Sequence, residues 1–382
     1  MSGRYEVVVV GGGPAGVAAA SVLARVGRGV LLVDGGRGPA PVGEALPAVA
    51  RVLLRDLGAE GVLTEGHLPC PANRSAWGSA VLGSTDSILD PHGHGWHLDR
   101  PRFDRQLRAR ARAQGVHLAE RTTARPLDRT PDGGWTVELR GAGTRTVRCR
   151  WIVDATGRRA AVATACGARR LVRDRLVAVH LTLPPADPPP ADPPGGDLPG
   201  GDRTTTVESA PDGWWYTAPL PTGRRLLAWY ADADTPGGPQ AFSARLAATR
   251  YVAPLAALHP RPAAGGLRRA PAHTAHLDDV HGEGWIAAGD AALAFDPLSS
   301  QGILTALFTG LRAGQAVHAR LGGDRTAPAD YAREVAAVRD TYLRHHRAHY
   351  AAERRWSDRP FWQRRQLTAT RAASTTPEET PA

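Results

Sequence analysis

The stretch YEVVVVGGGPAGVAAASVLARVGRGVLLVD, residues 5–34, decides the fold. Its first six residues are a largely apolar, β-branched run, typical of a strand that is buried on both faces. A glycine-rich turn follows, and residues 17–26 then have the alanine-rich composition of a helix. A second apolar strand over residues 28–33 closes on Asp34. This order predicts a βαβ unit with parallel strands.

The glycines of this turn occupy the positions of a dinucleotide fingerprint. Gly11 allows the tight turn, Gly13 lets a pyrophosphate approach the backbone, and Gly16 lets the helix pack on the strand. The helix then points its unpaired N–H groups at the phosphates, and the acid that ends the second strand can bind the ribose hydroxyls. The residues predicted to hold the dinucleotide are Gly11, Gly13, Pro14, Ala15, Gly16 and Asp34.

Composition restricts the class of protein. The chain has 382 residues, 42% of them hydrophobic, so it can bury a sizeable core. Its 47 basic residues are all arginine, which excludes any mechanism that needs a lysine ammonium or a Schiff base. The net charge of +10 comes from arginines spread along the chain among acids, so we expect no nucleic-acid partner. Three scattered cysteines, with neither a signal-peptide pattern nor a membrane span, predict a cytoplasmic protein without membrane attachment.

Beyond the first βαβ unit the pattern changes. Apolar runs at residues 176–183, 204–208, 214–219 and 225–230 are typical of an antiparallel sheet. A long apolar helix is predicted over residues 301–321, and the chain after it is helical and basic.

Three separated segments resemble a known family. GGGPAG at 11–16, DATG at 154–157 and GDAALAFDPLSSQGI at 289–303 are similar to motifs of the FAD-dependent monooxygenases with the p-hydroxybenzoate-hydroxylase-like fold. In that family the GD aspartate contacts the ribitol, and the helix after the third segment points its N-terminus at the isoalloxazine ring. The FAD contacts that this resemblance implies are Arg100, Asp154, Gly157, Gly289, Asp290, Pro297, Ser300, Gly302 and Ile303.

Within that fold the chain resembles the tryptophan-halogenase-like branch. The segments that carry the resemblance are VGEALPAVARVLLRDLG at 42–58, WGS at 77–79, GWHLDRPRFDRQL at 95–107, DGWWYTAPLP at 212–221 and RWSDRPFWQRR at 355–365. The subgroup they resemble oxidises tryptophan within peptides or proteins, including the maturation of tryptophan-derived quinone cofactors. The resemblance implies a tryptophan-containing peptide or protein substrate. It also implies O2 as co-substrate and reduced FAD, obtained from NAD(P)H directly or through a separate flavin reductase.

In one respect the sequence differs from the halogenases of this branch, and the difference restricts the reactions that it can catalyse. Its halogenases use a lysine to capture hypohalous acid, and this sequence has none, which excludes the lysine-dependent route. The remaining reaction is hydroxylation of the indole ring through a flavin C4a-hydroperoxide, for which the protein must hold the ring close and exclude water.

Candidate residues on the substrate side have two interpretations each. Glu44 could orient the indole N–H or act as a general base, or it could cap a helix or pair with an arginine. His97 could relay protons, or it could simply be hydrogen-bonded. The aromatic candidates line the substrate pocket or fill the core of a sheet, with Trp214 and Tyr216 on one strand face and Trp215 on the other; they are Trp77, Trp214, Trp215 and Tyr216. The pair His345 and His349 lacks a third ligand, so we expect no metal.

These observations predict an α+β protein with a doubly wound Rossmann-like FAD domain, an interleaved antiparallel substrate domain and a helical C-terminal segment. The predicted bounds are 1–75, 99–165 and 271–325 for the FAD domain, 76–98 and 166–270 for the substrate domain, 326–370 for the helical segment, and 371–382 for a disordered tail. Three alternatives stay open: an oxygenase of a free or carrier-bound small aromatic, a flavoprotein reductase, and a flavin-stabilised binding protein that escorts a peptide.

Overall fold

A computed structural model of the chain describes residues 3–36, 45–186, 202–260 and 266–373. The described helices are α1 (Pro14–Arg25), α2 (Ala50–Asp56), α3 (Arg100–Ala113), α4 (Ala161–Ala165), α5 (Pro239–Ala247), α6 (Val252–Ala257), α7 (Gly302–Leu321), α8 (Ala327–Ala352) and α9 (Pro360–Ala373). The described strands are β1 (Gly3–Val10), β2 (Val30–Asp34), β3 (Ala45–Leu46), β4 (Leu68–Cys70), β5 (Ala72–Ala76), β6 (Gly83–Asp86), β7 (Gly95–His97), β8 (His117–Glu120), β9 (Thr123–Arg129), β10 (Trp135–Arg140), β11 (Thr144–Asp154), β12 (Arg170–Val172), β13 (Leu176–Leu183), β14 (Thr205–Ala210), β15 (Gly213–Pro219), β16 (Arg225–Asp232), β17 (Arg268–Pro271), β18 (Ala275–Leu277), β19 (His281–Gly282), β20 (Trp285–Ala287) and β21 (Leu293–Ala294).

The chain divides into two compact units. Unit 1 is built from residues 1–67, 98–174 and 273–339, and unit 2 from 68–97, 175–272 and 340–382. The division therefore falls within α8. Of the tail at 371–382, residues 374–382 lie outside the described part of the chain.

Unit 1 contains the predicted βαβ unit. Strand β1 lies between β11 and β2 and pairs in parallel with both, and the sheet continues in the order β19-β20-β11-β1-β2-β8. Residues 7–10 of β1 are almost wholly buried, as a central parallel strand requires. The antiparallel strands β9 and β10 extend this sheet from β11. The doubly wound architecture is confirmed, and the parallel strands direct their carboxyl ends to one edge of the sheet.

Helices α1 and α7 pack backbone against backbone. A Cβ atom added at Gly310 would lie 2.2 Å from the carbonyl oxygen of Ala15, and one at Gly314 would lie 2.9 Å from that of Ala19. Spacing of four residues places both glycines on one face of α7. The two glycines therefore allow α7 to lie directly on α1, the helix that follows the glycine turn.

Unit 2 contains the predicted antiparallel sheet. Its order is β17-β13-β16-β15-β14-β5-β6, antiparallel except for the parallel pair of β14 and β5. One face buries a cluster around Trp215, Trp229 and Phe242, with Val179, Leu183 and Leu227 beside them. The helical C-terminal segment is confirmed by α8 and α9.

Candidate functional site

The turn between β1 and α1 needs glycine at two positions. Gly11 has φ +113°, and a Cβ atom there would lie 2.1 Å from the carbonyl oxygen of Ala155. A Cβ atom at Gly16 would lie 1.8 Å from the carbonyl oxygen of Gly11. Both distances are far below van der Waals contact, so any side chain would force the turn, the neighbouring loop and α1 apart.

The N-terminus of α1 is open beside this turn. Gly13 is the residue that precedes the helix, and no side chain caps the helix here. A Cβ atom at Gly13 would meet no described atom within 4 Å, and the first turn of α1 carries no acidic residue. Unpaired N–H groups that face open space form an anion site, and a diphosphate fits it.

Asp34 lies at the carboxyl end of β2, next to the glycine turn. Its Oδ1 accepts a hydrogen bond from Gly36 N at 3.0 Å, and its Oδ2 lies 3.3 Å from a guanidinium nitrogen of Arg108. A Cβ atom at Gly12 would lie 2.7 Å from the same Oδ2. The carboxylate is thus fixed beside the loop, where a ribose next to the diphosphate can bind it.

Arg100 is the first residue of α3, and Asp99 is the N-cap of this helix. The Asp99 carboxylate accepts a hydrogen bond from Arg102 N at 2.9 Å. One guanidinium nitrogen of Arg100 lies 3.5 Å from both carboxylate oxygens of Asp104, one helical turn on. Burial raises the pKa of the Asp104 carboxyl.

Asp154 is the last residue of β11, and its buried carboxylate accepts hydrogen bonds from the turn and helix that follow. Its Oδ1 accepts hydrogen bonds from the backbone N–H and the hydroxyl of Thr156, at 2.9 and 2.7 Å. Its Oδ2 accepts backbone N–H bonds from Val162 and Ala163, both at 2.8 Å. Both oxygens are therefore used by the chain itself. Gly157, at φ +67° and with open space where a side chain would be, is the residue of this motif best placed to face a ligand.

Asp290 follows Gly289, which has φ +61° and whose Cβ would lie 2.7 Å from that of Ala15. The partly exposed Asp290 carboxylate lies 3.5 Å from Nε of Arg158. The same guanidinium donates to the carbonyl oxygens of Phe295, at 2.8 Å, and of His273. Sequence reasoning missed Arg158, although it directly follows the DATG motif.

The start of α7 also leaves a helix terminus open. Pro297 begins a single 3-10 turn, and Ser300 then takes a left-handed conformation with φ 51°. The 20-residue helix begins at Gly302 and Ile303, with no side-chain cap and no acid in its first turn. The positive end of such a helix favours negative charge, which fits the anionic reduced form of an isoalloxazine ring.

All the described residues predicted to bind FAD thus lie in unit 1. A dinucleotide fits the features found here. They are two uncapped helix termini, glycines that leave space, and an acid at the end of β2.

Of the two predicted catalytic residues, the structure describes only His97. Glu44 lies outside the described residues. His97 is fully buried at the end of β7 in unit 2, with Nε2 3.0 Å from the carbonyl oxygen of Arg203. Since a carbonyl can only accept, Nε2 carries the proton and donates it. Burial lowers the pKa of the His97 imidazole to about 4, so the ring is neutral at pH 7.

The aromatic candidates of unit 2 pack on one another. Trp214 stacks on Tyr230 with ring centroids 3.9 Å apart, and its indole N–H donates to the hydroxyl of Tyr350 at 3.1 Å. Trp215 lies on the opposite face, in the sheet core. Trp77 donates its indole N–H to the carbonyl oxygen of His349 at 2.8 Å. These contacts explain the positions of the three tryptophans, and no ligand is needed to explain them. Their assignment, and that of the buried Tyr216, as substrate contacts stays a prediction.

Glu353 joins the C-terminal segment to the sheet of unit 2. Its carboxylate is fully buried and accepts hydrogen bonds from Gly78 N at 2.8 Å and Ser209 Oγ at 2.7 Å. It also pairs with the guanidinium of Arg355 at 2.6 Å. Burial alone would raise the pKa of Glu353, but these hydrogen bonds hold it below its usual value. The part of the C-terminal segment around Glu353 and Arg355 therefore belongs to the packed structure of unit 2.

The cysteines are free and poorly reactive. Burial raises the pKa of Cys149 to about 12 and that of Cys166 to about 11, and it also raises the pKa of Cys70. Within the described ranges, no group of His, Cys, Asp or Glu side chains is arranged to hold a metal ion. A search of the described helices finds none with the length and apolar character needed to cross a membrane.

A family model described as an FAD binding domain matches residues 4–329. LodB of Marinomonas mediterranea, described as an FAD-dependent oxidoreductase, is 27% identical over 377 residues, which cover 94% of this chain and 96% of LodB.

Two solved structures share the fold over most of the chain. The peptidyl tryptophan dihydroxylase QhpG, essential for tryptophylquinone cofactor biogenesis, is 27% identical with a TM-score of 0.77, covering 95% of this chain and 79% of QhpG. The myxobacterial chondrochloren halogenase CndH is 21% identical with a TM-score of 0.84, covering 97% of this chain and 88% of CndH. At 21% identity, that second similarity concerns the fold alone.

Proposed function

The chain belongs to the FAD binding domain family, and from this premise we propose that it is a monooxygenase that hydroxylates the indole ring of a tryptophan held in a peptide or protein. One observation carries the proposal. The similarity to the peptidyl tryptophan dihydroxylase QhpG extends over 95% of the chain at 27% identity, so it includes the substrate-side unit as well as the FAD unit.

The residues of unit 1 fit the needs of the cofactor. The open terminus of α1 beside Gly13 would bind the diphosphate, and Asp34 would bind the ribose of the adenosine half. Asp290 would bind the ribitol, and the terminus of α7 would stabilise negative charge on the reduced ring. Once bound and reduced, FAD supplies two electrons, so that one atom of O2 enters the indole ring and the other leaves as water.

The remaining roles concern protons. After oxygen enters the ring, a hydrogen must leave the attacked carbon to restore aromaticity, and we assign this step to Glu44. His97 is neutral at pH 7, and its Nδ1 accepts no hydrogen bond from the described residues. His97 is the second candidate as a hydrogen-bond acceptor through Nδ1, because an imidazole with a pKa of about 4 takes up protons poorly at pH 7.

Hydroxylation is favoured over halogenation on one ground. The halogenation route of the branch that the chain resembles requires a lysine, and the sequence has none. The similarity to CndH, at 21% identity, carries no argument about the reaction.

The test is the mass of a tryptophan-containing peptide encoded beside this gene. The purified protein is incubated with the peptide, FAD, a flavin reductase, NADH, air and chloride, and free tryptophan is tested in a parallel reaction. We expect the peptide to gain one or two oxygen atoms and free tryptophan to stay unchanged. Replacement of hydrogen by chlorine would overturn the argument from lysine. Oxidation of NADH that yields only peroxide, with the peptide unchanged, would contradict the peptide substrate.

A further inference from the structure

Helix α3 presents a row of charged side chains, of which only Arg100 was given a role above. Arg100, Asp104 and Arg108 follow one another at four-residue spacing, so they lie along one face of the helix. At one end of the row Arg100 contacts Asp104, and at the other Arg108 reaches Asp34 at the end of β2. The row therefore leads to the acid that sequence and geometry assign to the ribose of the adenosine half.

Arg108 contacts three groups at once. Its guanidinium lies 3.3 Å from Oδ2 of Asp34, donates to the carbonyl oxygen of Gly12 at 3.2 Å, and donates to Oε1 of Glu120 at 3.3 Å. Its side chain is 18% exposed, so solvent screens these contacts less than it would on an open surface. A planar guanidinium can hold several acceptors in fixed directions, which an ammonium group cannot do as well.

These contacts restrict the acid and the loop together. Gly36 N donates to Oδ1 of Asp34, and the Arg108 guanidinium lies beside Oδ2, so a partner at each oxygen restricts the carboxylate. The positive charge of Arg108 also offsets the negative charge of Asp34. Without it, Asp34 would repel the two negative phosphates bound at the neighbouring turn. The bond to Gly12 ties the glycine turn to the same guanidinium.

We propose that Arg108 is a positioning residue for the adenosine half of FAD, acting mainly through Asp34 and to a smaller extent through the glycine turn. It need not touch the cofactor, because its effect is to hold in advance the two groups that do. Preorganisation of this kind raises affinity by reducing the ordering that binding would otherwise require.

The same helix offers a matched control. Arg112, one turn on, lies 3.5 Å from Oε2 of Glu120, so it shares one partner with Arg108. Its side chain is 60% exposed, and its contact does not involve Asp34 or the glycine turn. Removing Arg112 therefore tests the loss of an α3 arginine that pairs with Glu120, without disturbing the predicted ribose site.

The experiment measures the dissociation constant of FAD from flavin fluorescence, using apoprotein of the full chain. Arg108→Ala should weaken FAD binding about ten-fold, as expected for a lost charge-assisted contact. Arg108→Lys should recover part of that loss, and Arg112→Ala should leave the constant unchanged. In an Asp34→Ala background, Arg108→Ala should cost less than about three-fold, because most of its effect passes through the missing carboxylate.

Three results would overturn the proposal: no loss in Arg108→Ala, an equal loss in Arg112→Ala, or a full ten-fold loss that persists without Asp34. The last result would mean that Arg108 acts on FAD or on the fold independently of the acid.

Discussion

The candidate residues of unit 1 are mainly backbone groups, whereas those of unit 2 are side chains. In unit 1 the residues predicted to bind the cofactor would act mainly through the backbone, as glycines that leave space and helix termini that direct N–H groups. In unit 2 the candidates are side chains, and Trp214 and Trp215 are already packed against other aromatic rings. A backbone-built site restricts the residue type at fixed spacing, so it can be identified from sequence. A ring in a sheet has the same appearance in sequence whether it contacts a ligand or fills a core.

Substitution of the glycines gives the largest effect, and it tests whether the backbone makes the site in unit 1. Gly16→Val should abolish FAD binding and disturb the fold, because its Cβ atom would lie 1.8 Å from the carbonyl oxygen of Gly11. Gly13→Ala should fold normally, since its methyl group would meet no described atom within 4 Å. It should nevertheless weaken FAD binding about ten-fold, because the methyl group would occupy the space assigned to the diphosphate. Circular dichroism and flavin fluorescence separate the two outcomes, and unchanged FAD affinity in Gly13→Ala would place the diphosphate elsewhere.

A smaller effect, confined to unit 2, is expected at Glu353. Glu353→Ala removes the buried acceptor of Gly78 N, Ser209 Oγ and Arg355, and should destabilise the protein by about 3–5 kcal/mol in urea unfolding. Glu334→Ala is the control, because its ion pair with Arg312 is partly exposed and should cost only about 0–1 kcal/mol. The folded Glu353→Ala protein should retain FAD affinity, since every described FAD candidate lies in unit 1. If the variant is fully folded and still loses FAD affinity, the cofactor site depends on unit 2, which contradicts its assignment to unit 1.

The smallest effect is a pH dependence at His97. Burial lowers the pKa of this imidazole from 6.5 to about 4, so the unfolded chain binds a proton in that range and the folded chain does not. The contribution of His97 to stability is present above pH 6.5 and is lost as the pH falls towards 4, by at most about 3 kcal/mol. Urea unfolding at pH 4.5 and 7 should show a smaller drop in His97→Gln than in the unmodified protein. Equal drops would mean that the ring is accessible to protons in the folded state.

Local patterns in the sequence predicted much of the fold. The βαβ unit over residues 5–34, strand β13 and helix α7 follow from periodicity and glycine signals that act within a few residues. The hairpin of β5 and β6 was not predicted. Strand β5 pairs in parallel with β14, whose residues lie 132 positions further along the chain, and no local signal encodes such a partner.

The glycine turns and helix starts of the candidate site follow from the sequence, whereas the long side chains beside its two acids do not. Arg108 and Arg158 contact Asp34 and Asp290, the two acids that the motifs identified. In a chain whose 47 basic residues are all arginine, neither position stands out by type or spacing. Their role depends on which helix or loop folds beside the acid, so it becomes visible only in three dimensions.

The raised pKa values of two cysteines have a consequence for the durability of the enzyme. Peroxide, which flavoproteins release when reduced flavin meets O2 without substrate, attacks thiolates and not thiols. With pKa values of about 12 and 11, Cys149 and Cys166 are ionised in about one molecule in 10,000 or fewer at pH 7. Oxidation to sulfenic acid is correspondingly slow. Idle turnover should therefore leave the cysteines intact, and loss of activity during storage with reductant and air should be traced to other side chains.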